Sequence, residues 1–485
     1  MKSNIRNLII VAVCVVVLGS ALLTLKLTGN DTAESSSAVS TASIELVSKK
    51  SEDVVSMNVE NAKGSYTLVP VPKVSSSQAS SGTSSADADS AAPTYTVKEL
   101  SGCPINTSAA ESAVKNGFSL VASKNLGTVS NLEDFGLQNP QATVKVKFQD
   151  GSSYDYRIGK TTATDSSAYY MCGLNSDTVY VVAIDQGLLE GAEYFVSTQI
   201  LSITNQAGAN NFSKITLSGA HYPQPVTFSA HQTALRISSP AVYTADSTAL
   251  SNLESSLASL TADSVAAVHP DAAALKQYGF DSPTAVAQYS VNGGNYKLTA
   301  GKQDGSSVYV MLDGVDVVYK VSSSSVEAWA LQNLFSLRNK TILAPGIETV
   351  QSLTLTAGDS KNVLNLTRAK DESKSTEDTT YYNYKVTGND GVSLDYDTNY
   401  TNFYQTLTGV TVLQDAQEKP AGSAALTVTY RYFDDSKTDT VQLIKSGDRR
   451  YTAVLNGQVL GIVTQDDLDG ISSALTALES GKAVG

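Results

Sequence analysis

An α+β fold follows from the sequence: an N-terminal transmembrane helix, then three tandem β-rich modules of mainly antiparallel strands with packed helices. Three observations lead there. The 485 residues carry 24 Tyr against one Trp, with charged residues held to 17%, which suits strands and their edges better than helical bundles. Apolar–polar alternation recurs around Asp-Gly and Asn-Gly pairs, whose tolerance of positive φ makes hairpin turns. One string, aromatic-Gly-apolar-x-x-Pro, returns 143 residues after it first appears.

At the N-terminus, Lys2 and Arg6 precede an uncharged run of eighteen residues from Leu8 to Leu25. At roughly 1.5 Å per residue this nearly crosses a bilayer core of about 30 Å. Residues 1–27 therefore read as a cytoplasmic stub and signal anchor, with the bulk of the chain extracytoplasmic. A cleaved signal peptide at Gly19-Ser20-Ala21 is the rival, but Leu22, Leu23 and Leu25 prolong the apolar run and favour an uncleaved anchor. A lipoprotein signal at Cys14 fits poorly, because bulky Val13 stands where such signals take a small residue. Residues 28–43 follow as a Ser/Thr/Ala-rich flexible linker. Without Lys2, Arg6 and Lys26 the chain keeps 31 basic residues against 47 acidic, a net charge of −16. That balance argues against nucleic acid and against anionic membrane surfaces as ligands.

Self-comparison divides the remainder into module 1 (44–204), module 2 (205–345) and a diverged module 3 (346–485). Phe135-Gly136-Leu137-Gln138-Asn139-Pro140 returns as Tyr278-Gly279-Phe280-Asp281-Ser282-Pro283. Each leads into a hairpin, through Asp150-Gly151 in the first copy and Asn292-Gly293 in the second, and then into Gly159-Lys160 or Gly301-Lys302. A second hairpin follows, running from Tyr170 to Tyr180 and from Tyr309 to Tyr319. The third copy keeps the hairpins, with a turn at Asp434-Asp435, but lacks the aromatic-Gly pair before Pro420.

Two short strands lead into each module: Ser56–Val59 with Tyr66–Val69, Ile215–Leu217 with Val226–Phe228, and Leu353–Leu355 with Val363–Leu366. A third strand and a helix come next. The helix stripes are Val114, Phe118 and Val121, then Leu250, Leu253, Leu257 and Leu260, then Tyr400, Phe403 and Leu407. Leu468, Ile471, Leu475 and Leu478 mark a closing helix. The Ser/Ala/Asp-rich 74–93 and the charged 369–380 fall between the second and third strands of their modules. They are insertion loops and not domain linkers.

In the segments 135–180 and 278–319 the chain resembles the bacterial domain-of-unknown-function family 4340. The resemblance rests on the pattern aromatic-Gly-Leu-x-x-Pro, a strand–Asp-Gly–strand hairpin, Ile-Gly-Lys, and then Tyr-x-Met…Asp-x-Val-Tyr. It implies a membrane-anchored, extracytoplasmic accessory protein, often encoded beside ABC transporters of the gliding-motility type. It carries over no catalytic residue.

Chemical motifs are sparse. His221, His231 and His269 are scattered and make no zinc spacing. Asp466-Asp467-Leu468-Asp469-Gly470 lacks the closing Glu of a calcium loop and reads as an acidic cap on the last helix. There is no nucleophile elbow, no Cys/His context with an evident base, and no Gly-rich lead that would make Gly159-Lys160 or Gly301-Lys302 a P-loop. Cys103 and Cys172 either form one bridge in an oxidising compartment or stand as two small apolar residues, the plainer reading. In the aromatic-Gly motif the glycines permit a left-handed turn, Pro140 and Pro283 start extended strands, and Leu137 or Phe280 plugs the core. Tyr154, Tyr156, Tyr169, Tyr170 and Tyr180 read as ordinary half-buried strand residues, with sugar stacking or pairing to a partner's strand as the alternative.

No catalytic, cofactor-binding or metal-binding residue is assigned. The expected role is a non-catalytic scaffold or binding component, accessory to an ABC-type permease complex. A cell-wall polysaccharide-binding surface protein is the alternative, and an envelope hydrolase the least favoured.

Overall fold

The structure, a computed structural model, describes residues 43–71, 93–205, 208–232, 234–416, 418–433 and 436–485. The expected anchor (1–27), all but the last residue of the linker (28–43), all but the last residue of the insertion loop 74–93, and the Asp434-Asp435 turn lie outside the described residues. Among the described residues no helix is long and apolar enough to cross a membrane. These residues gather into two compact units. The first takes 43–63, 93 and Ser112–Leu189; the second takes 64–71, Thr94–Glu111 and Glu190–Gly485.

The first nine strands are β1 (Ile44–Ser48), β2 (Val54–Asn61), β3 (Gly64–Pro70), β4 (Tyr95–Val97), β5 (Ser119–Thr128), β6 (Ala142–Phe148), β7 (Ser153–Thr161), β8 (Ala168–Gly173) and β9 (Thr178–Ala183). In the first unit seven of them run in the order β1-β5-β9-β8-β7-β6-β2. Period-two alternation buries one face: Val54, Met57 and Val59 of β2, Val144, Val146 and Phe148 of β6, and Tyr156 and Ile158 of β7. Each fully buried aliphatic or aromatic side chain contributes roughly 1.5–3 kcal/mol. Helix α1 (Thr107–Phe118) crosses this face at Gly117, where an added Cβ would lie 2.9 Å from the Met57 sulfur and 3.3 Å from Val146. The helix ends at Phe118. Val121, read as part of its stripe, belongs to β5 and is exposed, so the sequence reading ran one turn too far.

In the second unit β3 pairs antiparallel with β4. The chain then forms β10 (Gln199–Ser202), β11 (Phe212–Gly219), β12 (Tyr222–His231), β13 (Ala234–Ser239), helix α2 (Ser247–Ala258), β14 (Ser259–Thr261) and β15 (Ser264–Val268). Helix α3 (Ala272–Gln277), β16 (Ala285–Val291), β17 (Gly294–Asp304), β18 (Ser307–Leu312) and β19 (Val317–Ser322) follow. Eight of these strands make a sheet in the order β13-β12-β11-β16-β17-β18-β19-β15. Asp246 caps α2, its carboxylate accepting from Ala249 N at 2.9 Å. Leu253 and Leu257 are fully buried, but α2 stops at Ala258. Leu260 sits in β14, paired with Leu201 of β10, so the fourth member of the expected leucine stripe is a strand residue.

The last sheet uses β20 (Val350–Ala357), β21 (Ser360–Lys370), β22 (Tyr382–Thr387), β23 (Ser393–Leu394), β24 (Ala424–Tyr432), β25 (Thr438–Gly447), β26 (Arg450–Leu455) and β27 (Gln458–Thr464), in the order β23-β22-β21-β20-β24-β25-β26-β27. Helices α4 (Thr401–Thr408) and α5 (Gln465–Glu479) belong to its core, where Phe403, Leu407, Ile471 and Leu478 join Leu353, Leu364, Val428 and Leu443. Tyr400, read as the first residue of the helical stripe, lies in the wider turn that feeds α4. Both eight-stranded sheets join two antiparallel meanders through their first strands, β11 with β16 and β20 with β24. The meanders are β11–β13 with β16–β19 in one sheet, where β15 adds the eighth strand beside β19, and β20–β23 with β24–β27 in the other. The corresponding pair in the first unit is β2 with β6.

The acidic segment forms the first turn of α5, and Thr464 just before it is the cap. Asp467 Oδ2 accepts from Thr464 N at 2.7 Å, and Thr464 Oγ1 accepts from Asp467 N at 3.3 Å, a reciprocal capping box. Asp467→Ala removes one half of this exchange and should cost about 1 kcal/mol, read as a lowered denaturant midpoint for the second unit. Calcium should leave that midpoint where it is.

Candidate functional site

The recurring motif builds the same turn twice. In the second copy α3 is capped at its start by Asp271, whose side chain accepts from Ala274 N at 2.7 Å, and at its end by Tyr278. Gly279 follows at φ +86°; its N–H donates to Lys276 O at 3.0 Å, and the Phe280 N–H reaches back to Leu275 O at 3.0 Å. These are the two bonds of a Schellman helix end, which needs a left-handed residue and favours an apolar pair across the turn. In the first copy Gly136, at φ +68°, donates to Glu133 O at 2.9 Å, and Leu137 to Leu132 O at 3.0 Å. The motif is thus Leu-x-x-aromatic-Gly-apolar. Its leading residues, Leu132 and Leu275, escaped the sequence comparison because a single Leu three residues ahead carries little signal.

Hairpin register then brings the Gly-Lys pairs onto these turns. Ala142 faces Ile158 and Ala285 faces Ala300, so the next residues, Gly159 and Gly301, meet the chain just upstream. A Cβ on Gly159 would collide with the Phe135 carbonyl oxygen, and one on Gly301 with the Tyr278 carbonyl oxygen. Lys302 N donates to Tyr278 O at 2.8 Å. Side chains lock the return strand: Gln141 Nε2 donates to Gly159 O at 2.8 Å, and Thr284 Oγ1 donates to Gly301 O at 2.6 Å. Pro140 and Pro283 are half-buried just before these locking residues. Leu137 is fully buried with Cys172 and Val179, with Phe135 and Tyr170 packed beside them.

The aromatic members of the repeat also converge. Phe135 meets Tyr170 edge-on at 5.0 Å, and Tyr278 meets Tyr309 at 4.6 Å. The hairpin-closing tyrosines differ: Tyr180 is half-buried, whereas Tyr319 is 1% exposed. None of Tyr154, Tyr156, Tyr169, Tyr170 and Tyr180 is exposed, and burial pushes the Tyr154 hydroxyl up to about 12.

Around the second clasp the surface is polar. Asp304 Oδ2 accepts from the Tyr309 hydroxyl at 3.0 Å and from Lys320 Nζ at 2.9 Å. The Lys320 hydrogen bond holds the Asp304 carboxyl below its ordinary range, and Asp304 in turn raises Lys320. Both therefore keep their charge at neutral pH. An ion pair with an aromatic wall can bind a partner, but it does not exchange protons near pH 7.

Cys103 and Cys172 are both free, buried thiols. Among the described residues no group of three or more His, Cys, Asp or Glu side chains is arranged to hold a metal ion. His221 and His231 stand apart from His269, which has neighbours that the sequence reading missed.

An antiparallel α+β chain with duplicated aromatic–glycine clasps and a charged, ring-walled patch defines a class by architecture. Within it, the model for the domain of unknown function DUF4340 matches residues 81–229 and 236–422, and the chain belongs to that family. No curated protein and no solved structure matches it.

Proposed function

We propose that this chain is a non-catalytic, membrane-anchored extracytoplasmic scaffold or binding component, made of three tandem modules and accessory to an ABC-type transport system. The observation that supports the reading is recurrence: the same first-strand pairing appears at β2·β6, β11·β16 and β20·β24, as expected of one folding unit used repeatedly. The anchor rests on the eighteen-residue apolar run from Leu8 to Leu25, and the transporter on the family resemblance. The Asp304–Lys320 pair beside Tyr278 and Tyr309 supplies a fixed-charge contact patch.

The test is crosslinking of the tagged full-length chain in cells, followed by mass spectrometry of membrane fractions. Crosslinks from the patch around Asp304 and Lys320 to permease or ATPase subunits are the expected result. Recovery with cell-wall polysaccharide and without any transporter subunit overturns the reading in favour of glycan binding.

A further inference from the structure

We propose that Cys103, His269 and Asp316 form a thiol–imidazole–carboxylate site at which a hydroperoxide oxidises the Cys103 sulfur. All three lie in the second unit. His269 immediately follows β15 and Asp316 immediately precedes β19, and Val268 is paired with Val317, so the ladder's end sets the two residues opposite each other. The His269 N–H donates to Asp316 O at 3.0 Å, and His269 Nδ1 lies 2.9 Å from Asp316 Oδ2. A carboxylate on Nδ1 fixes the proton there and leaves Nε2 with its lone pair. Nε2 lies 3.8 Å from the Cys103 sulfur. Cys103 arrives from a separate segment, on a turn in which its N–H donates to Leu100 O at 2.9 Å.

The first copy supplies an internal comparison. Val129 N donates to Asp177 O at 3.0 Å at the end of the β5·β9 ladder, the same backbone bond as His269 to Asp316. The rung is therefore closed without an imidazole, and His269 adds chemistry that the scaffold does not need. His269 also holds φ at +47°, an uncommon conformation for a side-chain-bearing residue.

Burial, and then the Asp316 charge, push the Cys103 thiol up, so it rests protonated and needs a base. In the proposed step His269 Nε2 takes the thiol proton and the thiolate attacks the near peroxide oxygen. An S–O bond forms, the O–O bond breaks, and the departing oxygen takes the proton back from the imidazolium. Cysteine is oxidised to sulfenic acid, and hydrogen peroxide is reduced to water. Cys103 is 9% exposed, which admits a small reagent and no bulky acyl substrate. An uncharged oxidant also meets no repulsion from a chain of net charge −13.

The experiment treats the full-length protein with hydrogen peroxide and a sulfenic-acid trap. Peptide-resolved mass spectrometry then follows Cys103 separately from Cys14 and Cys172. Cys103 should be trapped about tenfold or more faster than Cys172, and His269→Asn should remove that advantage while leaving the Cys172 rate and the melting midpoint unchanged. Asn is chosen because it tolerates the left-handed backbone. Asp316→Asn, which disturbs a positioning residue, should slow Cys103 by about threefold, and Asp316→Glu should restore part of the rate. An unchanged Cys103 rate in His269→Asn, or trapping no faster than that of Cys172, overturns the proposal.

Discussion

Gly159→Ala and Gly301→Ala should each destabilise their own clasp by about 3 kcal/mol or more, several times the cost of an alanine at a hairpin glycine. The cause is backbone against backbone. The new Cβ meets the Phe135 or Tyr278 carbonyl oxygen, which belongs to a helix end already fixed by two hydrogen bonds and cannot swing away as a flexible side chain would. Gly136 and Gly279 face the same strand from the other side, where a Cβ would lie 2.9 Å from Lys160 N and 2.7 Å from Lys302 N. Gly151 separates the two causes. It has φ +81° but nothing within 4 Å of a Cβ, so Gly151→Ala carries only the left-handed penalty of about 1 kcal/mol. Hydrogen exchange resolved by peptide is the fitting measurement. Protection should fall at residues 132–137 for Gly159→Ala and at 275–280 for Gly301→Ala. Equal losses for Gly151→Ala and Gly159→Ala would contradict the clasp argument.

These clasps also show how far the sequence could be read. The glycines and the aromatic residues were visible as a repeat because each piece is local: a helix end, a hairpin turn, a strand. That Gly159 lies against Phe135 follows once the β6–β7 register is known, and the Asp150-Gly151 turn sets that register. The misread helix ends have a local cause as well. Leu260 falls three residues after Leu257, where a helix would place it, but β14 alternates about it with exposed Ser259 and Thr261. A three-residue strand is too short for its period to outvote the leucine stripe. The Cys103–His269–Asp316 site was beyond reach for a different reason. Its geometry depends on the β15·β19 ladder and on a turn far upstream, and neither leaves a spacing in the sequence. In the third copy, the missing aromatic-Gly pair coincides with a different layout: among the described residues no strand or helix stands between α4 and β24, where the second copy has β15 and α3 between α2 and β16.

Arg338→Ala should cost the second unit about 3 kcal/mol, and Arg338→Met distinctly less. Arg338 is 2% exposed, at the exit of the helical turn Leu334–Leu337. Its guanidinium donates to the Leu460 carbonyl of β27 and to Asp415 Oδ1 at 3.3 Å, and it lies 4.8 Å from the Tyr243 ring and 4.9 Å from the Phe335 ring. Burial lowers its pKa, but an arginine starts so high that it stays charged. Two terms therefore oppose each other: desolvation of a cation, and its recovery through two rings, one carbonyl and a half-exposed carboxylate. Alanine loses the stacking and leaves a cavity beside Leu460, whereas methionine refills the space and removes the desolvated charge. Lysine keeps the charge but loses the planar stack, worth about 1 kcal/mol per ring, so Arg338→Lys should fall between the two. Denaturant midpoints for the three variants rank these terms. A cost for Arg338→Met as large as that for Arg338→Ala would mean that the cation itself, and not the volume it fills, holds Leu460, Tyr243 and Phe335 together around it.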